Sequence, residues 1–211
     1  MLPIGTLNTE GYESNPVARR TLGLPTEGPM LVVVGAIHGG LDVLLDAWSE
    51  VRRASPDAML AVLGGEIRDD PSEAVIEEKD GLFRLARPLS QSDYLGMIEA
   101  AAVVWAVRDR VEGMSSTVDV AMHFGRPTIV SAINVSPAWI TRGAGGERVD
   151  SANPRSVARG ILRAFDVSHV ERIDAASCFG GFTGAVDALA GRRRFTPADL
   201  PRRFRTGNSI G

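Results

Sequence analysis

The sequence predicts an α/β domain: a doubly wound, Rossmann-like, largely parallel sheet flanked by helices. Three observations carry that expectation. Short unbroken apolar runs recur along the chain, among them "MLVVVGA" from Met30 and "AMLAVLGG" from Ala58. A strand buried on both faces, as in a parallel sheet, reads as such a run. The segments between the runs carry apolar residues at helical spacing, so strand and helix alternate through the middle of the chain. That alternation implies right-handed crossovers with helices on both faces of one sheet.

Residues 1–28 hold Pro3, Gly5, Gly11, Pro16, Gly23, Pro25 and Gly28, too much punctuation for long regular elements. They read as a linker-like lead-in with a short helix over "PVARRTLG". Residues 29–190 are expected to form the domain, and 191–211 a basic tail. "MLVVVGA" is the first core strand. "GGLDVLLDAWSEVRRA" sets Leu41, Leu44, Leu45 and Trp48 on one helical face with charges opposite, an amphipathic helix. "AMLAVLGG" is the second strand and "GLFRLA" a third. "SQSDYLGMIEAA" is a helix capped by Ser90 or Ser92, and "AVVWAV" the fourth strand. "TVDVAMHFG" fits a helix with Val118, Ala121 and Met122 inward, and "RPTIVSA" a fifth strand introduced by Pro127. "SANPRSVARGILRAF" and residues 167–189 are expected as outer helices.

The bulk numbers suit one ordinary globular domain: 211 residues, 44% hydrophobic and 23% charged. A net charge of -3 offers no global basic field, which argues against nucleic acid as a partner, although "RRRFTPADLPRRFR" near the C-terminus is locally basic. That tail leaves two readings open, contact with anionic lipid at the inner membrane face or a solvated end, and the second is the expectation. The lone Cys178 excludes an intramolecular disulfide and reads as a buried, inert thiol. No apolar run approaches the roughly 20 residues needed to span a bilayer, and no secretory leader is read at the start. A cytoplasmic protein is expected.

In open α/β sheets ligands bind beyond the carboxyl ends of the strands, where helix N-termini aim free N–H groups. Two loops leave strands in that way. The first, "GAIHGGL", carries Gly35, His38, Gly39 and Gly40, whose glycines allow a phosphate close to the backbone. It lacks the three spaced glycines of a dinucleotide site and the lysine of a P-loop. From this loop alone a tight strand-to-helix turn is the stronger reading. His38 either donates to a phosphate or a carbonyl, or caps a turn in solvent.

The second loop, "VRDRVEGMSSTVDVAM", is richer. Ser115, Ser116 and Thr117 can cap the following helix while its first N–H groups face an anion. Arg108 and Arg110 add a charged planar fork for the same phosphate, and Glu112 an acceptor for sugar or ribose hydroxyls. The bland alternative, in which Arg108 pairs with Asp109 or Glu112 and the hydroxyls only cap, weighs the same on these residues alone.

The order of "LPIGT", "ARRTLGLP", "MLVVVGAIHGGLDVLLDAWSEVRRASPDAMLAVLGG" and "EGMSSTVDVAMHFGRPTIVS" resembles the C-terminal, donor-binding domain of the retaining group 1 glycosyltransferases of the GT-B fold. The likeness covers nearly the whole chain, and includes that family's interdomain linker, its "KGxDxLLxA" helix and its "EAMAxGxPVV" block. The resemblance implies a site for a nucleoside diphosphate sugar, with no metal or other cofactor expected. It places Glu112 on the first of two family glutamates separated by seven residues, the one that reaches the donor sugar. Val120, beside Asp119, stands at the second, which holds the ribose. The arginine and lysine that follow the family's first strand are replaced by the stretch holding Ala36, His38, Gly39 and Gly40. "AVRDRVEGMSSTVDVAMHFGRPTIV" is more similar to a branch with "PYRxxxxSG" and "ALxFGRPV", which matches Arg108 and Ser115-Ser116 and also lacks the second glutamate.

The resemblance implies hexose transfer from a nucleoside diphosphate sugar to a saccharide or lipid-linked acceptor in polysaccharide biosynthesis. It also implies that an N-terminal acceptor domain is needed, as a partner chain or as the rest of a longer product. By this reading the isolated chain is inactive, and no catalytic residue is nominated. The competing expectation is a degenerate, non-catalytic docking module of a split enzyme. A third, a sugar-nucleotide epimerase with the same two-domain plan, fits the "GMSSTVDVAMHFGRP" spacing less well.

Overall fold

The computed structural model describes residues 15–35, 39–64, 76–85, 88–108, 115–131 and 145–167, all within one compact unit, Gly11–Arg172. Cys178, the basic tail and the helix expected after residue 167 lie outside them.

Strands form where the sequence places them: β1 (Met30–Val34), β2 (Met59–Leu63), β4 (Leu82–Leu85), β5 (Val103–Trp105) and β6 (Thr128–Ser131). Every residue of β1, β2, β5 and β6 is buried. Two strands join them that the apolar pattern does not announce, β3 (Ile76–Lys79) and β7 (Gly146–Val149). In β7, "GERV", Val149 is the one residue fully withdrawn from solvent, so there is no run to read. β3 turns into β4 through Asp80 and Gly81, both at positive φ (49° and 75°), as a two-residue hairpin of matching twist requires. The sheet order is β3-β4-β2-β1-β5-β6-β7. β3 is antiparallel to β4 and the other pairings are parallel.

Helix α2 (Leu41–Ala54) and helix α5 (Pro154–Phe165) pack side by side on one face. The buried stripe of α2 is Leu44, Ala47, Trp48 and Val51, a turn of the face expected from the leucines alone, with Leu41 and Leu45 half-buried. It meets Val157 and Ile161 of α5 over Leu31, Val33, Val103 and Ile129. α5 is capped by Asn153, whose side chain accepts from the N–H groups of Arg155 (3.1 Å) and Ser156 (3.3 Å), with Pro154 in the first turn. It lies so close to β7 that a Cβ on Gly160 would sit 2.4 Å from Val149 Cγ1.

The opposite face carries α3 (Gln91–Ala100) and α4 (Ser116–His123), with α1 (Asn15–Thr21) packed on α3. Ser90 caps α3 by accepting from the Asp93 N–H at 3.0 Å. Arg19 of α1 is 5% exposed. Its guanidinium donates to the carbonyls of Thr26 (3.3 Å), Gly28 (3.1 Å) and Ala100 (2.8 Å). One charged group thereby joins the segment entering β1 to the end of α3, just before β5.

Candidate functional site

The strand order reverses at β1, which has β2 on one side and β5 on the other. Chains leaving β1 and β5 turn to opposite faces, which opens a crevice beyond their carboxyl ends. Gly35 follows β1 directly and Arg108 lies just past β5, so both loops found in the sequence start at this crevice.

On one wall, Gly40 is the N-cap of α2 at φ 70°, and as a glycine it offers no side-chain cap. A Cβ there would be 2.8 Å from Val107 Cγ1 and 3.4 Å from Trp105 Cζ2. Only glycine brings the α2 N-terminus this close to the end of β5, and among the described residues the first-turn N–H groups of α2 have no side-chain acceptor. The tight-turn reading of the Gly39-Gly40 pair therefore has a steric basis of its own.

On the other wall, Gly35 (φ 80°) donates its N–H to Leu63 O at 3.1 Å, and its open side faces the Tyr94 ring of α3. The Tyr94 hydroxyl shares a 3.1 Å hydrogen bond with Thr117 Oγ1 at the start of α4. Tyr94 thus ties the exit of β1 to the N-terminus of α4. Ser115 is buried at the N-cap of α4, and its carbonyl accepts from Val118 and Asp119 N–H (3.0 and 3.2 Å), but its side chain makes no capping bond. Capping by a hydroxyl is thus corrected at Ser115, which caps through its main chain, while the described hydrogen bond of the Thr117 hydroxyl is the one it shares with Tyr94. The side chain of Ser116 is not among the described ones. Arg108, half-buried, has its carbonyl held by the hydroxyl of Ser131 at 2.9 Å, which fastens the exit of β5 to the end of β6.

Asp119, in the first turn of α4, is 6% exposed, with no hydrogen bond to its carboxylate among the described residues. Burial pushes its pKa from 3.8 up to about 6, because desolvation penalises the charged form. Val120 beside it is buried too. His38, Arg110 and Glu112 lie outside the described residues. The structure therefore brings Gly35, Gly39, Gly40, Arg108, Ser115, Ser116 and Thr117 to the ends of adjoining strands and their helices. It adds Tyr94 and Ser131, which no motif pointed to. Among the described residues no group of three or more His, Cys, Asp or Glu could hold a metal ion. Nor is any described helix long and apolar enough to cross a membrane.

Solved structures share this fold. Sucrose-phosphate synthase from Thermosynechococcus elongatus superposes with a TM-score of 0.54 at 21% identity, over 74% of this chain and 41% of that one. WaaG, a glycosyltransferase involved in lipopolysaccharide biosynthesis, gives 0.56 at 16% identity, over 93% and 52%. Anabaena HepE in complex with UDP and glucose gives 0.60 at 14%, over 84% and 54%. The chain thus spans about half the length of these structures. No curated protein sequence matches it. The sequence profile of the group 1 glycosyl transferases matches residues 28–166, from the segment entering β1 to the end of α5, and the chain belongs to that family.

Proposed function

We propose that this chain is the donor-binding part of a glycosyltransferase moving a hexose from a nucleoside diphosphate sugar to a saccharide or lipid-linked acceptor in polysaccharide biosynthesis. The observation that carries the reading is the crevice itself: α2 and α4 both open beside the ends of β1 and β5, and neither Gly40 nor Ser115 caps its helix with a side chain. First-turn N–H groups that these caps leave without a side-chain acceptor, and the helix dipoles, are suited to a diphosphate. Arg108 neutralises charge as the diphosphate leaves, the α4 N-terminus holds its oxygens, and Glu112 orients the sugar hydroxyls. UDP and glucose bound to HepE support a ligand of this class. The acceptor wall comes from an N-terminal domain, and this chain alone is inactive because both walls must position the reactants. No metal takes part, and the work is done in the cytoplasm.

A second reading has its own support. Val120 in place of a carboxylate and no cation in the loop with His38, Gly39 and Gly40 favour a degenerate module that docks onto another chain. Calorimetric titration with UDP, GDP and their sugar conjugates separates the two. Saturable binding abolished by Arg108→Ala and by Ser115→Ala/Ser116→Ala supports the donor site. A folded chain that binds none of them at millimolar concentration overturns it in favour of docking.

A further inference from the structure

Helices α2 and α5 lie next to one another on the same face and both begin at the carboxyl edge of the sheet, so they run in the same direction. Their outward faces carry opposite charge patterns in the same register. In α2 the second, sixth and tenth residues are Asp42, Asp46 and Glu50, and the thirteenth is Arg53. In α5 the second, sixth and tenth are Arg155, Arg159 and Arg163, and the position after its twelfth and last residue is Asp166. Steps of four, four and three keep each set within roughly 80° of the helix circumference, at intervals of about 6 Å or less along the axis. All of these side chains are exposed except Glu50, which is half-buried.

The two patterns do not satisfy each other within one chain. Asp42, Asp46, Arg53, Arg155, Arg159 and Asp166 form no ion pair among the described residues. Arg163 alone has an acidic partner, Glu147 at 2.7 Å. We propose that the α2/α5 face is a self-association surface whose partner is a second copy of this chain. A two-fold axis between the helices and parallel to them lays α2 of each copy over α5 of the other, pointing the same way. Asp42 then meets Arg155, Asp46 meets Arg159 and Arg53 meets Asp166, each contact made twice by symmetry. The fold requires no such match of register between two helices a hundred residues apart, and one exposed pair alone contributes little, so the whole pattern does the work.

The test is sedimentation equilibrium of the full chain from micromolar to submillimolar concentration, at low and at high salt. The expected result is a monomer–dimer equilibrium weakened by salt. Asp42→Arg/Asp46→Arg and Arg155→Glu/Arg159→Glu should each weaken it by about tenfold or more, and the fourfold combination, which restores opposite signs across the two-fold, should recover it. The salt dependence of the wild type needs no variant to fold, and circular dichroism checks those that are made. A chain that stays monomeric throughout overturns the proposal. So does a dimer indifferent to both reversals, or reversals that lower the melting temperature without changing the mass.

Discussion

Gly160→Ala sets two effects of opposite sign against each other. Gly160 lies inside α5 with ordinary helical φ, so alanine there lowers the entropy of the unfolded chain and gains about 1 kcal/mol of helix propensity. Against that, the new Cβ would lie 2.4 Å from Val149 Cγ1, where carbon contacts settle at about 3.5–4.0 Å. Val149 is 1% exposed and β-branched, with little freedom to turn aside, so α5 must lift from β7. Overpacking of this kind costs about 1–3 kcal/mol, and the short distance puts this site at the upper end. The net expectation is a loss of about 1–2 kcal/mol, or roughly 2–4 °C in Tm for each kcal/mol. Urea unfolding followed by tryptophan fluorescence and circular dichroism measures it. Val149→Ala alone costs about 2 kcal/mol through the lost methyls. In the double variant the clash is gone, and the combined loss should fall short of the sum by at least about 1 kcal/mol. A Gly160→Ala variant as stable as wild type, with an additive cycle, would refute the packing argument.

Arg19→Met should cost about 2–4 kcal/mol, because the carbonyls of Thr26, Gly28 and Ala100 lose their buried donor; the urea midpoint should fall with the slope unchanged. Gly40→Ala should cost about 2–4 kcal/mol, from φ 70° and the 2.8 Å approach to Val107, and calorimetric melting of a variant as stable as wild type would contradict it. Asp119 should make stability depend on pH in a fixed direction. Its folded pKa of about 6 lies above its ordinary 3.8, so the folded chain holds the extra proton: this group costs stability above pH 6, and the cost fades as pH falls toward 4. Asp119→Asn should remove a difference on the order of 2–3 kcal/mol between those limits, seen by urea unfolding from pH 4.5 to 8.

Strands buried on both faces were the legible part of the fold. β1, β2 and β5 are continuous apolar runs for that reason, and the exits that carry Gly35 and Arg108 could be placed by following them. β7 had no such signal, with Val149 its one buried residue, and β3 is charged except at Ile76. The Asp80-Gly81 pair does announce a hairpin, but "IEEK" before it does not read as a strand. The buried face of α2 includes Ala47, which carries too little hydrophobicity to mark it. At the site, the hydrogen bond between Tyr94 and Thr117 joins residues 23 apart on two helices, and only their packing brings the hydroxyls together. Arginine is expected at the surface, so nothing local marks Arg19 as buried. Its partners are main-chain carbonyls, which look alike in every sequence.

The Arg19 clamp also has a meaning in time. Its bond to Ala100 closes a loop of 81 residues, and contacts of such separation form only after the intervening chain has given up its freedom. A guanidinium that needs the carbonyls of both the segment entering β1 and the end of α3 in place is expected to dock late. Arg19→Met is then expected to speed unfolding more than it slows refolding, and a stopped-flow chevron in which refolding slows instead places the clamp in the folding nucleus. On that expectation the lifetime of the folded chain, more than the speed of reaching it, is what this one side chain governs.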